Sequence, residues 1–183
     1  MRKLKYHEQK LLKHVNFYDW KRTNAKRENQ IIRRYRIQDN EDYHKYNKLV
    51  GLITKLTSKL RLLPSDDEFR IKVTDDLLKK LYDMGLISKK GNLELCEKLS
   101  TSCFCRRRLA VVLVQLKFCQ NLEQATTYIE QGHITIGNQV VNNPAYHISR
   151  TLEDAISWTQ GSKIPKHIAE FHNNRDDYQL LNL

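Results

Sequence analysis

Three consecutive arginines, Arg106-Arg107-Arg108, stand directly before the apolar run Leu109 to Val114. Guanidinium groups fork onto phosphate oxygens in pairs and stack on exposed bases, which ammonium groups do less well. Leu109, Val112, Leu113 and Leu116 fall at i, i+3, i+4 and i+7. That spacing predicts an amphipathic helix with the three arginines at its start. Cations in a first turn oppose the helix macrodipole, so folding alone would not put them there, and an anionic ligand would compensate. Lys117 follows the same helix. A plainer use stays open, in which Arg107 or Arg108 pairs with an acid inside the protein.

The remaining reactive residue types point away from catalysis. Cys96, Cys103, Cys105 and Cys119 are separated by six, one and thirteen residues, which matches no standard zinc spacing. Cys119 follows an apolar helix and reads as a small core residue, and free thiols suit a reducing compartment. His7-Glu8 begins like a metalloprotease helix, but Leu11 stands where the second histidine belongs. Asp66-Asp67-Glu68 and Asp75-Asp76 precede expected helices, where the positive dipole end accounts for them. There is no Gly-rich phosphate loop and no G-x-S-x-G. The expectation is a protein that is not an enzyme, without cofactor or metal.

The chain has 183 residues, 32 Lys and Arg against 21 Asp and Glu, and a net charge of +11. The excess is local. Residues 1–63 carry 17 cations and 6 acids, residues 64–102 carry 7 and 8, residues 103–150 carry 5 and 2, and residues 151–183 carry 3 and 5. So local a positive field suits nucleic acid first and an acidic protein second; a solubilising helix face is the plain alternative. The longest apolar run spans six residues, Leu109 to Val114, far below the ~20 that a membrane span needs. The start carries charges too frequent for a secretion signal. A soluble, non-secreted protein is expected.

Four stretches follow along the chain: a basic helical arm and long helix over 1–63, a helical connector over 64–102, a compact module over 103–160, and an acidic tail over 161–183. In the arm, Lys3, Lys5, Arg33, Arg34 and Arg36 are candidate RNA contacts, and Phe17, Tyr18 and Trp20 form an aromatic knot. Lys21-Arg22, ten residues and Arg33-Arg34-Tyr35-Arg36 have the form of a bipartite import signal, as an RNA-facing or solvated helix also would. Tyr46, Leu49, Ile53, Leu56, Leu60 and Leu63 step by three and four, giving a helix over 42–63 with one apolar stripe that Pro64 ends. Tyr43, Tyr46 and Trp20 suit core packing more than base stacking. Thr74 reads as the cap of a second helix, with Leu77, Leu78 and Leu81 inward and Gly85 as its stop. Leu93 to Leu99 reads as a short helix.

In the module, Asn121 reads as an N-cap with Gln124 in capping-box position, and Gly132 ends that helix. His133 to Ile136, the turn at Gly137-Asn138 and Val140-Val141 read as a β-hairpin. Asn142-Asn143-Pro144 turns into a further strand at Tyr146 to Ser149. The class is α+β: helices, then two helices and a small antiparallel sheet.

Arg108-Leu109, Gln131-Gly132-His133-Ile134 and Val141-Asn142-Asn143-Pro144-Ala145-Tyr146, in this order, resemble the RNA-binding domain named for small-subunit ribosomal protein S-four. The family usually has Asn-Gly in the hairpin turn where this chain has Gly137-Asn138. Leu77-Leu78-x-x-Leu81-x-x-x-Gly85-Leu86 is similar to the preceding helix of eukaryotic ribosomal members. Arg2 to Lys13 is similar to the nucleolar branch, the S-four-like subunits of the U-three small nucleolar ribonucleoprotein.

The resemblance implies an assembly factor of the small-subunit processome in the nucleolus. Such a protein binds U-three snoRNA and pre-ribosomal RNA, helps them base-pair, sits with the scaffold protein Mpp-ten, and supports early pre-rRNA cleavage. It selects Arg106, Arg107, Arg108 and Lys117 for RNA, with Gln131, His133, Thr135 and Asn138 adding sugar or base contacts. His133 has the equal alternative of a local bond at the strand start. The arm and the arginine cluster, taken as two separate basic surfaces, would screen two phosphate backbones at once. Two other readings remain: a structural ribosomal protein of the same family, and a protein–protein adaptor using Leu49, Ile53, Leu56 and Leu60.

Overall fold

In the computed structural model, residues 2–14 and 22–171 are described. The knot Phe17, Tyr18 and Trp20, the first half of the expected import signal at Lys21, and the last twelve residues lie outside them. The arm holds α1 (Tyr6–His14) and α2 (Arg22–Tyr35), and the long helix is α3 (Asn40–Leu62). Two loops and a break then give α4 (Glu68–Asp83), α5 (Leu93–Glu97) and α6 (Thr101–Arg106). The module follows as α7 (Leu109–Gln115), α8 (Leu122–Glu130), β1 (Ile134–Ile136), β2 (Gln139–Val140), α9 (Arg150–Glu153) and β3 (Ile156–Trp158), with α10 (Ile164–Phe171) beyond it. Among the described residues no helix is long and apolar enough to cross a membrane.

Helix α3 buries a different line of residues from the expected one. Tyr43, Thr57 and Leu60 are buried and Tyr46, Val50 and Ile53 half-buried, while Leu49, Leu52 and Leu56 are 43%, 53% and 39% exposed. Steps of three and four from Tyr43 fix the inner face. Leu49 and Leu56 belong to a second row beside it, so the expected stripe merged two rows. Thr57 fits the interior because its hydroxyl donates to the Ile53 carbonyl at 2.8 Å.

Helix α4 starts earlier than expected. Asp67 is its cap, accepting from the Phe69 amide at 3.0 Å, and Thr74 lies inside the helix. Asp75 and Asp76 are therefore mid-helix and exposed. Leu78 and Leu81 pack with Leu86, Ile87, Cys96, Leu99 and Phe104 into one core cluster. A second cluster fills the module: Leu109, Val112, Leu113, Ala125, Ile129, Ile134 and Ile148. A third joins the arm to it through Tyr35, Ile37, Tyr43, Cys105 and Val111.

Among the described residues four helices end in the same hydrogen-bond pattern, in which two successive amides turn back onto the last helical carbonyls. After α2, Ile37 N–H reaches the Ile32 carbonyl and Arg36 N–H that of Arg33. Gly85 with Leu86, Lys117 with Phe118, and Gly132 with His133 repeat it after α4, α7 and α8. The pivotal residue takes positive φ: Arg36 at 46°, Gly85 at 75°, Lys117 at 63° and Gly132 at 74°. Glycine is the usual occupant of this Schellman position, and another L-residue costs about 1 kcal/mol there.

The sheet has the order β2-β1-β3, antiparallel throughout. Ile136 pairs with Gln139, so Gly137 and Asn138 are the two turn residues, with positive φ at Gly137 alone. That is the requirement of a type II′ hairpin. The third strand is Ile156–Trp158, not Tyr146 to Ser149. The latter segment runs against the break between α6 and α7: Leu109 N–H donates to the Tyr146 carbonyl and Ile148 N–H to that of Arg107, both at 2.8 Å. Gln124 caps α8 differently from the expected box, accepting from the Gln120 amide at 3.2 Å, and the Asn121 side chain makes no cap bond.

That break is where the module is held. Arg108 is 3% exposed at its side chain and reaches Asp42 of α3 at 3.2 Å; it also bonds the Tyr46 hydroxyl. Arg107 donates to the Ile148 carbonyl at 2.8 Å and pairs with Glu153. His147 Nε2 meets the Met84 carbonyl at 3.1 Å, and Arg150 donates to the carbonyls of Tyr82 and Ile87, both at 2.9 Å.

Two outcomes follow from this seam. Asp42→Ala leaves the buried Arg108 guanidinium without its counter-charge and should cost about 3 kcal/mol, read by urea denaturation; a change under ~0.5 kcal/mol would refute the role given to the pair. His147 has its pKa lowered from 6.5, chiefly by burial, so the folded protein favours the neutral ring. The unfolded chain then binds more protons as pH falls below about 6.5, and stability should drop through that window. His147→Gln should flatten this part of the curve of melting temperature against pH.

Candidate RNA interface

The three arginines do not share a surface. Arg106 ends α6 and is exposed, Arg107 follows it, and Arg108 is the cap residue of α7. The expected first turn of one helix is two short helices with the arginines at the joint. The dipole argument changes accordingly: Arg106 sits at a helix C-terminus, where a cation is favourable, and Asp42 neutralises Arg108. Arg107 and Arg108 are committed to Glu153 and Asp42 and are corrected from RNA contacts to internal struts. The pairing pulls both side chains out of solvent, at 12% and 3% exposure.

Arg106 alone of the three is exposed. Its guanidinium bonds the Tyr35 hydroxyl, which raises its pKa above the ordinary arginine value. Tyr35 is the buried last residue of α2, within Arg33-Arg34-Tyr35-Arg36. The Arg34 guanidinium lies 5.7 Å from the Tyr35 ring centre, and Arg33, Arg34 and Arg36 are exposed. Arg36 extends onto the module, pairing with Glu123 of α8 at 3.0 Å, and Gln38 bonds Glu130 farther along that helix. Tyr35 therefore brings Arg34 and Arg36, at the end of α2, beside Arg106 of the module. The only sequence signal for this was a tyrosine embedded in arginines, an apolar ring with a hydroxyl that can meet a neighbouring guanidinium.

The other candidates are spread out. Lys117 is exposed at the left-handed turn after α7, Gln131 is exposed after α8, and Asn138 is exposed at the hairpin tip. His133 takes the local alternative: Nδ1 lies 3.2 Å from the Ser162 hydroxyl and the ring meets Tyr128 edge-on. Thr135 bonds across the sheet to the Ser157 hydroxyl at 2.8 Å. Lys3 and Lys5 are exposed ahead of α1. Tyr43 is buried, and Tyr46 stacks on Phe104 at 5.7 Å, so both serve the interior. Sequence reasoning did not single out Arg150, which lies 4.2 Å over the Tyr82 ring and belongs to the seam.

The cysteines are free thiols. Burial pushes Cys105 and Cys119 up to about 11, so both stay protonated at neutral pH. Among the described residues no group of three or more His, Cys, Asp or Glu side chains is placed to hold a metal.

Two family models share the chain between them. Residues 3–106 match the family model of the ribosomal protein S4/S9 N-terminal domain, and residues 107–154 match that of the S4 domain. Over 181 residues the chain is 45% identical to the U3 small nucleolar ribonucleoprotein protein IMP3 of Homo sapiens, covering 98% of both proteins. It is equally similar to IMP3 of Saccharomyces cerevisiae, at 45% over 98% of this chain and 99% of the relative. The small ribosomal subunit protein uS4 of Methanocella arvoryzae is 24% identical over 156 residues, 81% of this chain and 75% of that one. The two family models abut at the α6–α7 break, where the arginines stand, and together with the full-length similarity they show that the chain belongs to the S4 family, in the branch of the U3 small nucleolar ribonucleoprotein protein IMP3.

Proposed function

We propose that this protein is a non-enzymatic RNA-binding assembly factor of the small ribosomal subunit, a component of the U3 small nucleolar ribonucleoprotein acting in the nucleolus. It binds U3 snoRNA and pre-ribosomal RNA, promotes their base-pairing and supports early processing of the 18S precursor. The observation that carries this reading is four exposed arginines at the junction of arm and module: Arg33, Arg34 and Arg36 at the end of α2, and Arg106, which reaches Tyr35 from the end of α6. A cationic cluster of this kind can lie between two phosphate backbones and lower their mutual repulsion, which is the barrier to annealing. The names of the relatives, and their greater identity than that of uS4, favour the assembly factor over a structural ribosomal protein.

A protein partner within the assembly is part of the same proposal. The row Leu49, Leu52 and Leu56 stays exposed on α3 while Ile53 and Leu60 turn inward. This row supports a protein contact, and the scaffold protein Mpp-ten is the partner proposed.

The test uses the full chain and two complementary RNA strands carrying the U3 and pre-rRNA pairing sequences. Replacing Arg33, Arg34, Arg36 and Arg106 by Ala should slow annealing and lower the slope of log affinity against log salt by about 3, at about 0.7 for each single-strand phosphate contact. Arg108→Ala should instead lower the melting temperature. Unchanged annealing and salt slope in the fourfold variant would overturn the reading.

A further inference from the structure

Beside the module, α10 lies across the turn between α7 and α8 and encloses a groove of about 380 Å³. Its walls are aromatic and aliphatic: Phe118 and Tyr128 on the module side, Ile164, Ile168 and Phe171 on α10. Gln120 and Gln124 supply amides at one edge, and Lys117 stands at the rim. No acidic residue lines it among the described residues. Phe118 and Tyr128 are held from behind by Trp158, with ring centres at 5.4 and 5.9 Å, so the wall is a braced aromatic surface.

Lys117 carries a second observation. Of the four helices that end in the same Schellman pattern, α4 and α8 place glycine at the left-handed position, and α7 places Lys117 there with φ at 63°. A lysine is held in a backbone conformation that glycine adopts without strain, and the strained residue is the cation at the groove. Folding has no need of that choice, as Gly85 and Gly132 show in the same fold.

We propose that this groove is a nucleotide slot, in which one unstacked base of a single-stranded RNA stacks against Phe118, Tyr128 and Phe171 while Lys117 holds its phosphate. The inference rests on the RNA-binding reading and adds a site to it. Aromatic walls take any base face, and the Gln120 side-chain amide offers a donor and an acceptor to a base edge, while Gln124 bonds the Gln120 backbone amide and the Tyr128 hydroxyl and so braces the wall. Charge complementarity favours RNA over an apolar peptide. The rim carries Lys117, and Lys163 is exposed one residue before the groove-lining Ile164, while Lys166 lies on the far face of α10. An apolar segment of a partner would leave these cations unmatched.

The experiment uses the full chain and a short single-stranded RNA carrying one thiouridine. Irradiation should join the thiouridine to Tyr128 or Phe171, located by mass spectrometry. Phe171→Ala removes an exposed wall and should weaken RNA binding about tenfold. Lys117→Gly should raise the melting temperature by relieving the backbone, yet weaken RNA binding and reduce the crosslink; a merely structural lysine would give the first change without the others. Full RNA affinity in both variants, or crosslinks confined to the arginine cluster, overturns the slot and leaves the RNA-binding reading intact. Loss of a processome protein from Phe171→Ala with RNA affinity unchanged assigns the groove to protein and likewise overturns it. A wild-type chain that binds no RNA overturns both.

Discussion

The fold depends on the Arg108–Asp42 ion pair at the joint of α6 and α7. The module buries its own core, but that core does not touch α4, whose residues pack in a separate cluster. The third cluster joins the arm and α3 to the module by apolar contact, and polar contacts fix the register beside it: Arg108 with Asp42, Arg107 with Glu153, and His147 and Arg150 on carbonyls at and just after the end of α4. Buried ion pairs are weak contributors to net stability, since desolvation offsets much of their attraction. Their value lies in what happens when one partner is displaced. An apolar seam tolerates sliding, whereas a guanidinium 3% exposed tolerates only positions that keep its carboxylate. Gly85 belongs to the same logic, because a Cβ there would stand 2.6 Å from the Arg107 guanidinium. A side chain there would push the guanidinium away from Ile148 and Glu153.

The joint also decides which cations remain for a ligand. Arg106, one residue earlier, projects from the end of α6 and meets Tyr35, while Arg107 and Arg108 turn inward. A break in the helix thus converts a run of three like charges into two struts and one surface group. It removes the repulsion that three adjacent guanidiniums would suffer on one helical turn. It also brings the surviving guanidinium to the arm, so the arginine cluster is assembled by the strut that anchors α3.

Much of the architecture was legible from residue types. The module order of helix, helix and hairpin followed from the spacing of Leu109 to Leu116, the Asn121 cap, and the glycines at 132 and 137. Gly85 was readable as a helix stop because positive φ leaves few other candidates. What was not legible was long-range. Nothing near Arg108 in sequence announces Asp42, 66 residues away, and the break in the helix exists because of that contact and the pairing with Tyr146 to Ile148. The same holds for the third strand. Tyr146 to Ser149 has strand-like composition, but its hydrogen-bonding partners are the backbone groups exposed by the α6–α7 break, and Ile156 to Trp158 takes the sheet edge instead. On α3, two apolar rows one residue apart both satisfy a spacing of three and four; only the position of Phe104 and Arg108 selects the row containing Tyr46.

The placement of cations on strained backbone turns this division of labour into a physical trade. Arg36 and Lys117 each occupy a left-handed cap at which Gly85 and Gly132 demonstrate the unstrained solution. Both sit at helix C-termini, where a positive side chain gains from the dipole, by typically 0.3–1 kcal/mol at an exposed site. That gain is no larger than the backbone penalty of about 1 kcal/mol, so the dipole alone does not favour a long cation over glycine. Arg36 recovers part of the difference through Glu123. Among the described residues no acid lines the groove beside Lys117, and this turn lacks the return that Glu123 gives to Arg36. A strained, cationic residue beside an aromatic wall is the arrangement in which binding an anion would restore what folding does not.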